Sequence, residues 1–587
     1  MVEKSLGLTV NKLCLIFHES DRGPGPGEGT WMQDQQRRQR MTEAWRIWEK
    51  GREKYAAKIK EGRTLSGIPV KTVYTEEDTA HLDLATLPGV YPYTRGLYPD
   101  GYAVTPWMQQ MVFGYGTCEE TRAKMETLAA QGMEGYFGHK VFNVVYDIPT
   151  MYGIDADHPE AEGNVGQCGA HLSTPEDYDE LIRGWELETT NFSLITGDNC
   201  LPGLAHIVAA AERRGKSPDA LRGNSMNWYP RVAVQDIPSW EPQYGYALMV
   251  DLIRYCTHHM PAWNTTNIFM YGISEAGATP VEELAYGLAW GKSVIDACKS
   301  AGLEPDRFVG RLGFQVGVQM NFFEEIAKLR ALRKMWAKIT REAGCTKPQC
   351  MHARVHVHTS GNVLVAQQPL NNTARITLQI LAAVLGGVQS IHSCSYDETI
   401  GIPTELSHRT SLRSQQIVMW ETGLRDVVDP LGGSYFVEWL TDRIEQEAWK
   451  IYDDVEKRGG YIKGLAEGWI KRAVDNSAYA RKQAIKKGEL PVVGVNRYVL
   501  DTQEEHLPFR VDYEIERKAI ERLRAFRRKR SQKEIDAALA TLASACQSFK
   551  EGKRELMPVL IEAARKGVTN GEMMDIMRKA FGWVVLE

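Results

Sequence analysis

Between residue 108 and about residue 397, short apolar runs alternate with longer amphipathic stretches. Two of these stretches, Glu119–Gly132 and Pro280–Ala301, repeat apolar side chains every three or four residues, which predicts helices. Strands that are separated by crossover helices pair in parallel. The pattern predicts strands at 108–115, 141–148, 191–196, 221–226, 265–271, 307–314, 353–359 and 388–394.

The number of these units indicates the fold class. About eight strand–helix units in about 290 residues are what a (β/α)8 TIM barrel requires, and its active site would lie at the C-terminal ends of the strands. A doubly wound open sheet is the structural alternative. Polar or small residues lie where a barrel interior usually holds Val, Ile and Leu, namely Asn143, Ser193, Thr196, Asn224, Ser225, Arg311, Gly313, His356 and His358. They suggest that a long, thin ligand occupies the barrel axis.

The segments on either side of the barrel have other patterns. Residues 18–32 are rich in glycine and proline and predict a flexible arm, and the charged stretch from Gln35 to about Glu61 predicts a helix. Helices are also predicted at 442–458 and 461–487, and a final pair ends at Glu587. We therefore expect three domains: a partner-clasping arm and helix (1–89), a substrate-binding barrel with its entry loop (90–435) and a helical extension (436–587).

The stretch Val90–Trp107 is the predicted entry loop. Pro92, Pro99 and Pro106 each disfavour helical backbone in the residue before them, and four tyrosines accompany them. A long, stiff aromatic loop on an α/β chain is more often functional than not. The alternative is a surface lid that is packed by its own tyrosines.

Composition narrows the function classes. The chain has 587 residues, 43% of them hydrophobic, and a net charge of -5, which argues against a protein built around nucleic-acid phosphates. A basic cluster at 524–530 lies on an amphipathic helix, which favours a solvated or partner-facing surface. The ten cysteines are scattered without a C-x-x-C pair, and no signal peptide or apolar run of ~20 residues is evident. We expect a cytoplasmic protein with reduced thiols and no membrane contact.

Histidines raise a metal-site hypothesis. His352, His356 and His358 share one face of a predicted strand, and His392 and Asp397 would be the further ligands. A metal-dependent hydrolase is therefore the alternative of another class, and a non-catalytic scaffold subunit is a third. Carboxylates are scarce at the other strand ends, and the chain has no G-x-S-x-G, P-loop or G-x-G-x-x-G after a strand. No metal site is predicted.

Two predicted strand ends carry a carboxylate beside glycine. Tyr271–Gly277 follows the fifth strand and Asp397–Thr404 follows the eighth. Glycine lets the backbone approach a bulky ligand closely. Either segment alone also suits a helix N-cap, but two at equivalent positions favour a ligand-binding rim.

Several motifs in order along the chain resemble those of the methylmalonyl-CoA mutase family, whose members use adenosylcobalamin to isomerise acyl-CoA carbon skeletons. The motifs are 93–99, 157–159, 275–278, 359–361, 371–375, 386–387, 397–404, 429–435 and 493–496. The resemblance covers about residues 40 to 587. It implies an isomerase whose barrel is threaded by the pantetheine of CoA, with cobalamin over the C-terminal rim.

The resemblance also implies a partner. Single-chain members carry a cobalamin domain with an Asp-x-His-x-x-Gly histidine, and none of the fourteen histidines here has Asp two residues before it. We expect a large catalytic subunit that works with a separate small cobalamin-binding subunit, as a heterodimer or heterotetramer. Adenosylcobalamin would be bound mainly by that small subunit.

Site residues follow from the motifs that match the family. The residues expected to contact cobalamin or its adenosyl group are Glu275, Gly361, Glu398, Thr399 and Ile402. Those expected along the CoA path or around the substrate are Tyr98, Thr105, Gln110, Val112, Ser193, Thr196, Asn224, Met226, Arg231, Gly272 and Arg311. Tyr271 and His358 are expected to be catalytic.

Departures from the family suggest a different substrate. Val112 replaces a pocket tyrosine of methylmalonyl-CoA mutases, and Gly272 replaces a pocket histidine. The space left by these two smaller side chains predicts an acyl-CoA bulkier than methylmalonyl-CoA, such as an aryl- or alkyl-substituted succinyl- or malonyl-CoA. Arg231 or His358 would hold a free carboxylate. Alternatively, neighbours fill the space: Trp228, Tyr229 or Met226. The runner-up substrate is isobutyryl-CoA or 2-hydroxyisobutyryl-CoA.

Overall fold

The computed structural model describes residues 29–53, 62–133, 135–227, 229, 239–501 and 510–584, without the side chains of 29–38 and 137. The chain divides into two compact units, residues 1–62 with 69–71 and residues 63–68 with 72–587. The first unit contains the helix Gly29–Arg52.

That helix differs from the sequence prediction at both ends. It begins before Gln35 and includes residues 29–32, which were expected in a flexible arm, because no proline or glycine interrupts the chain after Gly29. It ends at Arg52 rather than near Glu61. Residues 18–28 and 54–61 lie outside the described residues.

The second unit is built around parallel strands. They are β1 (two runs, Met108–Gln109 and Val112–Phe113), β2 (Lys140–Val145), β3 (Thr190–Gly197), β4 (Arg222–Asn227), β5 (two runs, Trp263–Asn264 and Thr266–Phe269), β6 (Leu312–Val318), β7 (Val355–Thr359) and β8 (Ser390–His392).

Strand pairing follows chain order. The first run of β1 pairs with β8 and the second with β2, while the two runs of β5 pair with β4 and β6. The two five-stranded sheets therefore continue into each other through β1 and β5, and all pairs between these strands are parallel. This order is that of a TIM-barrel-like α/β fold, so the predicted fold class is confirmed.

A helix follows each strand and covers the outside of the sheet. The crossover helices are α1 (Cys118–Ala130), α2 (Pro175–Ile182), α3 (Cys200–Arg213), α4 (Pro242–His259), α5 (Pro280–Ser300), α6 (Phe322–Glu342), α7 (Asn372–Leu385) and α8 (Glu405–Trp420). Capping boxes with Thr117, Thr174 and Thr279 as N-caps start α1, α2 and α5. The apolar core lies between strands and helices, where Val144, Leu194 and Val316 are fully buried.

Several predicted strands have different bounds. The strand expected at 141–148 ends at Val145, and the helix Ile148–Tyr152 follows it. The strand expected at 307–314 begins only at Leu312 and runs to Val318, because Pro305 opens a short helix, Pro305–Phe308, in front of it. The strand expected at 265–271 ends at Phe269, and the helix Met270–Glu275 follows directly. Glu275 is therefore on a short helix at the rim.

The C-terminal region is helical, as expected, with bounds Tyr435–Lys457, Tyr461–Ala466, Trp469–Lys486, Tyr513–Lys529, Gln532–Lys550, Met557–Lys566 and Asn570–Phe581. The expected final pair is four helices, because glycines with positive φ, Gly552 and Gly567, lie in the turns that follow two of them. None of the helices within the described residues is long and apolar enough to cross a membrane.

Two of the five basic residues in the cluster 524–530 bind other parts of the protein. Arg527 donates to Asp155 at 2.7 Å and to Asp157 at 2.8 Å, and Arg530 pairs with Glu572. These arginines join the C-terminal helices to the loop after β2 and to each other. Arg524, Arg528 and Lys529 are exposed, so these three residues form the solvated surface that the sequence favoured, whereas Arg527 and Arg530 do not.

The entry loop is anchored to α6. The Arg333 side chain donates to the carbonyl oxygens of Tyr93 at 3.0 Å and Thr94 at 2.9 Å, and Arg95 donates to Asp429 at 3.0 Å. The loop contains one helical turn, Gly101–Val104. Arg333 is nearly inaccessible to solvent. These contacts fix the loop beside the N-terminal ends of the strands.

Candidate active site in the barrel

A polar cavity of about 240 Å3 occupies the N-terminal half of the barrel. The cavity is lined by six of the residues that the sequence placed along the CoA path or around the substrate: Tyr98, Gln110, Ser193, Asn224, Met226 and Arg311. Thr105 lies apart from it, beside a cavity of about 50 Å3 beneath the entry loop, which Tyr98 also lines. The predicted polar interior thus surrounds a real opening.

Hydrogen bonds between neighbouring strands hold these polar side chains. Ser193 Oγ lies 2.9 Å from Asn143 Oδ1 and 3.0 Å from Asn224 Oδ1, and it donates to one at a time. Thr196 Oγ donates to the Met226 carbonyl at 3.4 Å and does not line the cavity. Ser225 does not line it either, because it accepts a hydrogen bond from the Trp263 indole.

Three arginines lie at the N-terminal end of this cavity. Arg222 begins β4, while Arg311 and Arg354 directly precede β6 and β7. Burial and the Arg222 charge lower the pKa of Arg311, and burial and Arg311 lower the pKa of Arg354 to about 10. None of the described residues that line the cavity is acidic. The opening therefore attracts anions.

Three histidine rings contact one another next to the cavity, edge-to-face or tilted rather than stacked. The ring centroid of His358 lies 5.0 Å from that of His356 and 4.6 Å from that of His392. Burial is the main cause that lowers the pKa of each ring, and neighbouring histidines add to it for His358 and His392. All three rings are therefore neutral at physiological pH.

The histidines are engaged in hydrogen bonds rather than arranged around a metal. His392 Nδ1 accepts from the Val112 amide at 2.9 Å, His356 Nδ1 lies 2.8 Å from Ser390 Oγ, and His358 Nε2 lies 2.8 Å from Gln315 Nε2. His352 packs against Tyr93 of the entry loop. The described residues contain no group of three side chains placed to hold a metal ion. The hydrolase hypothesis therefore has no geometric support.

Tyr271 and Gly272 follow β5 at the centre of the site. The Tyr271 ring centroid is 4.6 Å from that of His358, so the two residues expected to be catalytic are in contact. A β-carbon on Gly272 would lie 2.5 Å from Phe269 Cε1. The space beside Gly272 is thus taken by Phe269, a neighbour that the sequence analysis did not name.

Glu275, Gly361 and Glu398 meet on the C-terminal rim. Ser360 Oγ donates to Glu275 at 2.5 Å and the Asn362 amide donates to it at 2.9 Å. A β-carbon on Gly361 would lie 3.6 Å from Glu275 Oε2 and 3.8 Å from Glu398 Cγ. Gly361 therefore leaves an opening between the two carboxylates.

The Glu398 side chain reaches solvent, yet its surroundings in the recessed rim raise its pKa to about 7. Desolvation is the first cause, and Asp397 and Glu275 add repulsion. Burial is also the largest influence on the Glu275 pKa, which is raised. Thr399 is exposed and Ile402 half-buried on the same loop. Arg231 lies outside the described residues.

Sequence reasoning missed four residues at this site: Arg222, Phe269, Gln315 and Arg354. Each lies in a strand or at a strand end, so only the register shows which way its side chain points. The one available signal was that glutamine and arginine are unusual in the strands of a barrel core.

Comparisons with known proteins identify the family of the chain. The family profile described as methylmalonyl-CoA mutase matches residues 63–583. A methylmalonyl-CoA mutase of Rhizobium meliloti (strain 1021) is 37% identical over 541 residues, which is 91% of this chain and 75% of that protein. The 2-hydroxyisobutanoyl-CoA mutase large subunit of Aquincola tertiaricarbonis is 34% identical over 569 residues, covering 94% of this chain and 98% of that subunit. The chain belongs to the methylmalonyl-CoA mutase family.

Proposed function

We propose that this chain is the large catalytic subunit of an adenosylcobalamin-dependent acyl-CoA mutase whose acyl substrate carries no charge. The observation that carries the proposal is the neutral centre of the barrel. Tyr271, His356, His392 and Gln315 surround His358, and none of them is a cation. The mutase class is supported by the family, whose members are isomerases.

The electrostatics of the barrel orient the CoA ester. The three arginines at the N-terminal opening suit the CoA phosphates, since guanidinium groups pair with phosphate oxygens. His358 is four positions after Arg354, which is about 13 Å along an extended strand. The polar cavity between them suits the amide groups of pantetheine. The acyl group then lies beside Tyr271 and His358.

The rim suits adenosylcobalamin. Glu275 and Glu398 offer carboxylate oxygens beside Gly361, and acceptors of this kind pair with the hydroxyl groups of a ribose or the amides of a corrin ring. Within the described part of the chain no side chain donates a hydrogen bond to the Glu398 carboxylate, so it remains available to a ligand. When bound, the cofactor supplies the radical that starts the rearrangement.

Within the described residues, which do not include Arg231, the neutral centre disfavours an acyl carboxylate. A buried charge without a partner costs several kcal/mol, and His358, with its strongly lowered pKa, does not supply a positive charge. Of the two substrates that the sequence left open, 2-hydroxyisobutanoyl-CoA or a similar small uncharged ester fits better. The name of the Aquincola relative supports this choice. A bulkier ester stays a second candidate, since Val112 is small.

A small cobalamin-binding subunit completes the proposed enzyme. The alignment with 98% of a relative named a large subunit supports a two-subunit assembly. Residues Glu275 and Glu398 would face the cofactor that the partner presents. We propose a heterodimer or heterotetramer.

The test is reconstitution. The chain is purified with its companion subunit, supplied with adenosylcobalamin and assayed with methylmalonyl-, isobutyryl-, 2-hydroxyisobutanoyl- and phenylsuccinyl-CoA. We expect turnover only with cofactor and partner present, and a preference for an uncharged ester. Stoichiometric zinc and hydrolysis would overturn the mutase proposal, and turnover of methylmalonyl-CoA alone would overturn the substrate proposal.

A further inference from the structure

Gln315 is a buried polar residue at the centre of the barrel, and the proposed function does not explain why a glutamine lies there. It lies on β6 opposite His356, is 2% exposed, and places its Nε2 atom 2.8 Å from Nε2 of His358. In this orientation the carboxamide NH2 group of Gln315 is the donor, its Oε1 atom has no partner among the described residues, and the imidazole Nε2 is the acceptor. A neutral imidazole that accepts at Nε2 carries its proton on Nδ1.

The other nitrogen of His358 is available to a ligand. Among the described residues no protein group forms a hydrogen bond with Nδ1 of His358, although its neighbours His356 and His392 both have partners at Nδ1. His358 keeps 7% of its surface accessible, at the level of Tyr271 and above the polar cavity. An accessible Nδ1–H donor without a protein partner can donate a hydrogen bond to a ligand oxygen at this position.

The ring itself has little freedom to choose another orientation. Tyr271, His356 and His392 pack against it with centroid distances of 4.6, 5.0 and 4.6 Å. None of these contacts supplies a positive or negative charge. The tautomer of His358 is therefore decided by its hydrogen bond to Gln315.

We propose that Gln315 is a positioning residue that fixes His358 as the Nδ1–H tautomer, so that His358 donates a hydrogen bond to an uncharged oxygen of the acyl group. The oxygen is either the thioester carbonyl or a hydroxyl substituent. This inference rests on the proposed function for the identity of the ligand, but the tautomer is a property of the chain alone.

The first measurement therefore needs no turnover. Imidazole 15N shifts of the 15N-histidine-labelled chain, assigned with His358→Gln, report which nitrogen of His358 carries the proton. We expect protonated Nδ1 in the native chain and a shift of the proton to Nε2 in Gln315→Glu, whose carboxylate only accepts. A native His358 with its proton on Nε2, or with both nitrogens protonated, would overturn the proposal.

The second measurement uses the reconstituted complex and compares kcat/KM for a 2-hydroxyacyl-CoA and the matched acyl-CoA without the hydroxyl group. Loss of one hydrogen bond in a buried site predicts about a tenfold or larger fall in Gln315→Glu. A fall for the hydroxylated ester alone identifies the hydroxyl, and equal falls for both esters identify the carbonyl. Unchanged kcat/KM for both esters would overturn the proposed role.

Matched variants separate positioning from stability. Gln315→Asn keeps a carboxamide NH2 group that can still donate to His358 in part. This variant is therefore expected to retain part of the activity that Gln315→Glu loses. Gln167→Leu removes a buried glutamine that donates to the carbonyl oxygens of Val165 and Asp512 and does not line the cavity, so it is expected to lower the melting temperature without changing the ratio between the two esters. If no acyl-CoA is turned over at all, the proposed function fails while the tautomer measurement still stands.

Discussion

Phe269 sets the size of the acyl pocket, because it occupies the space beside Gly272. We expect Phe269→Ala to let the enzyme accept a larger acyl group. Replacing a fully buried Phe by Ala lowers the free energy of unfolding by about 3–5 kcal/mol. Phe269 is half-buried, so a loss of roughly 2 kcal/mol in the free energy of unfolding is expected. A substrate ring that fills the new space would recover a similar amount, about 30-fold in kcat/KM.

The assay compares kcat/KM for 2-hydroxyisobutanoyl-CoA and phenylsuccinyl-CoA in the native and variant complexes. Phe192→Ala is the matched control, because Phe192 is fully buried on β3 and packs against Phe142 outside the site. That control is expected to lower stability and leave the substrate ratio unchanged. The reasoning is refuted if Phe269→Ala leaves the ratio unchanged, or if the native enzyme already prefers the phenyl ester.

Three further predictions address charge. Glu398→Ala is expected to slow Co–C homolysis and turnover at least tenfold with an unchanged melting temperature, since one charge-assisted hydrogen bond is worth about 1.5–3 kcal/mol. Visible absorbance monitors the homolysis, and an unchanged rate would contradict the prediction. Arg354→Leu is expected to raise the KM for the CoA ester but not for the matching pantetheine ester, with exposed Arg307→Leu as the control; an equal rise for both esters would contradict a phosphate contact. Burial alone would lower the pKa of His171, but Asp147, 2.8 Å away, and other nearby carboxylates raise it above 6.5. The stability that this charge contributes is therefore present below pH 6.5 and lost as the pH rises through the raised pKa. Urea unfolding across that range checks this, and a His171→Gln variant with the same pH slope would contradict it.

The fold was predictable because its strands and helices have clear periods. Seven of the eight predicted strands overlap most of the observed ones, and capping threonines mark several helix starts. The exception, 307–314, was misplaced because Phe308 and Val309 read as strand residues, whereas Pro305 starts a helical turn there. Local apolar content does not distinguish a short buried helix from a strand.

The site was predictable only in part, for a different reason. Glycines beside carboxylates indicated the rim, and the motif match indicated Tyr271 and His358. The partner of His358 was not visible, because Gln315 and His358 are far apart in sequence and meet only through the register of β6 and β7. The same limit applies to Phe269: a glycine in place of a histidine shows that a side chain is gone, but not which neighbour fills the space.

Charge changes sign along the barrel, and this gradient bears on the substrate independently of pocket size. Arg222, Arg311 and Arg354 lie at the N-terminal opening, and Glu275 and Glu398 lie on the opposite rim. A CoA ester bound with its phosphates on the arginines therefore directs its acyl end toward carboxylates. Among the described residues, a carboxylate on that acyl group would meet neutral histidines and then Glu275 and Glu398, whose raised pKa values show that negative charge is already unfavourable there, whereas a hydroxyl or carbonyl oxygen needs only a donor. The gradient thus favours an uncharged acyl group, whichever residues set its size.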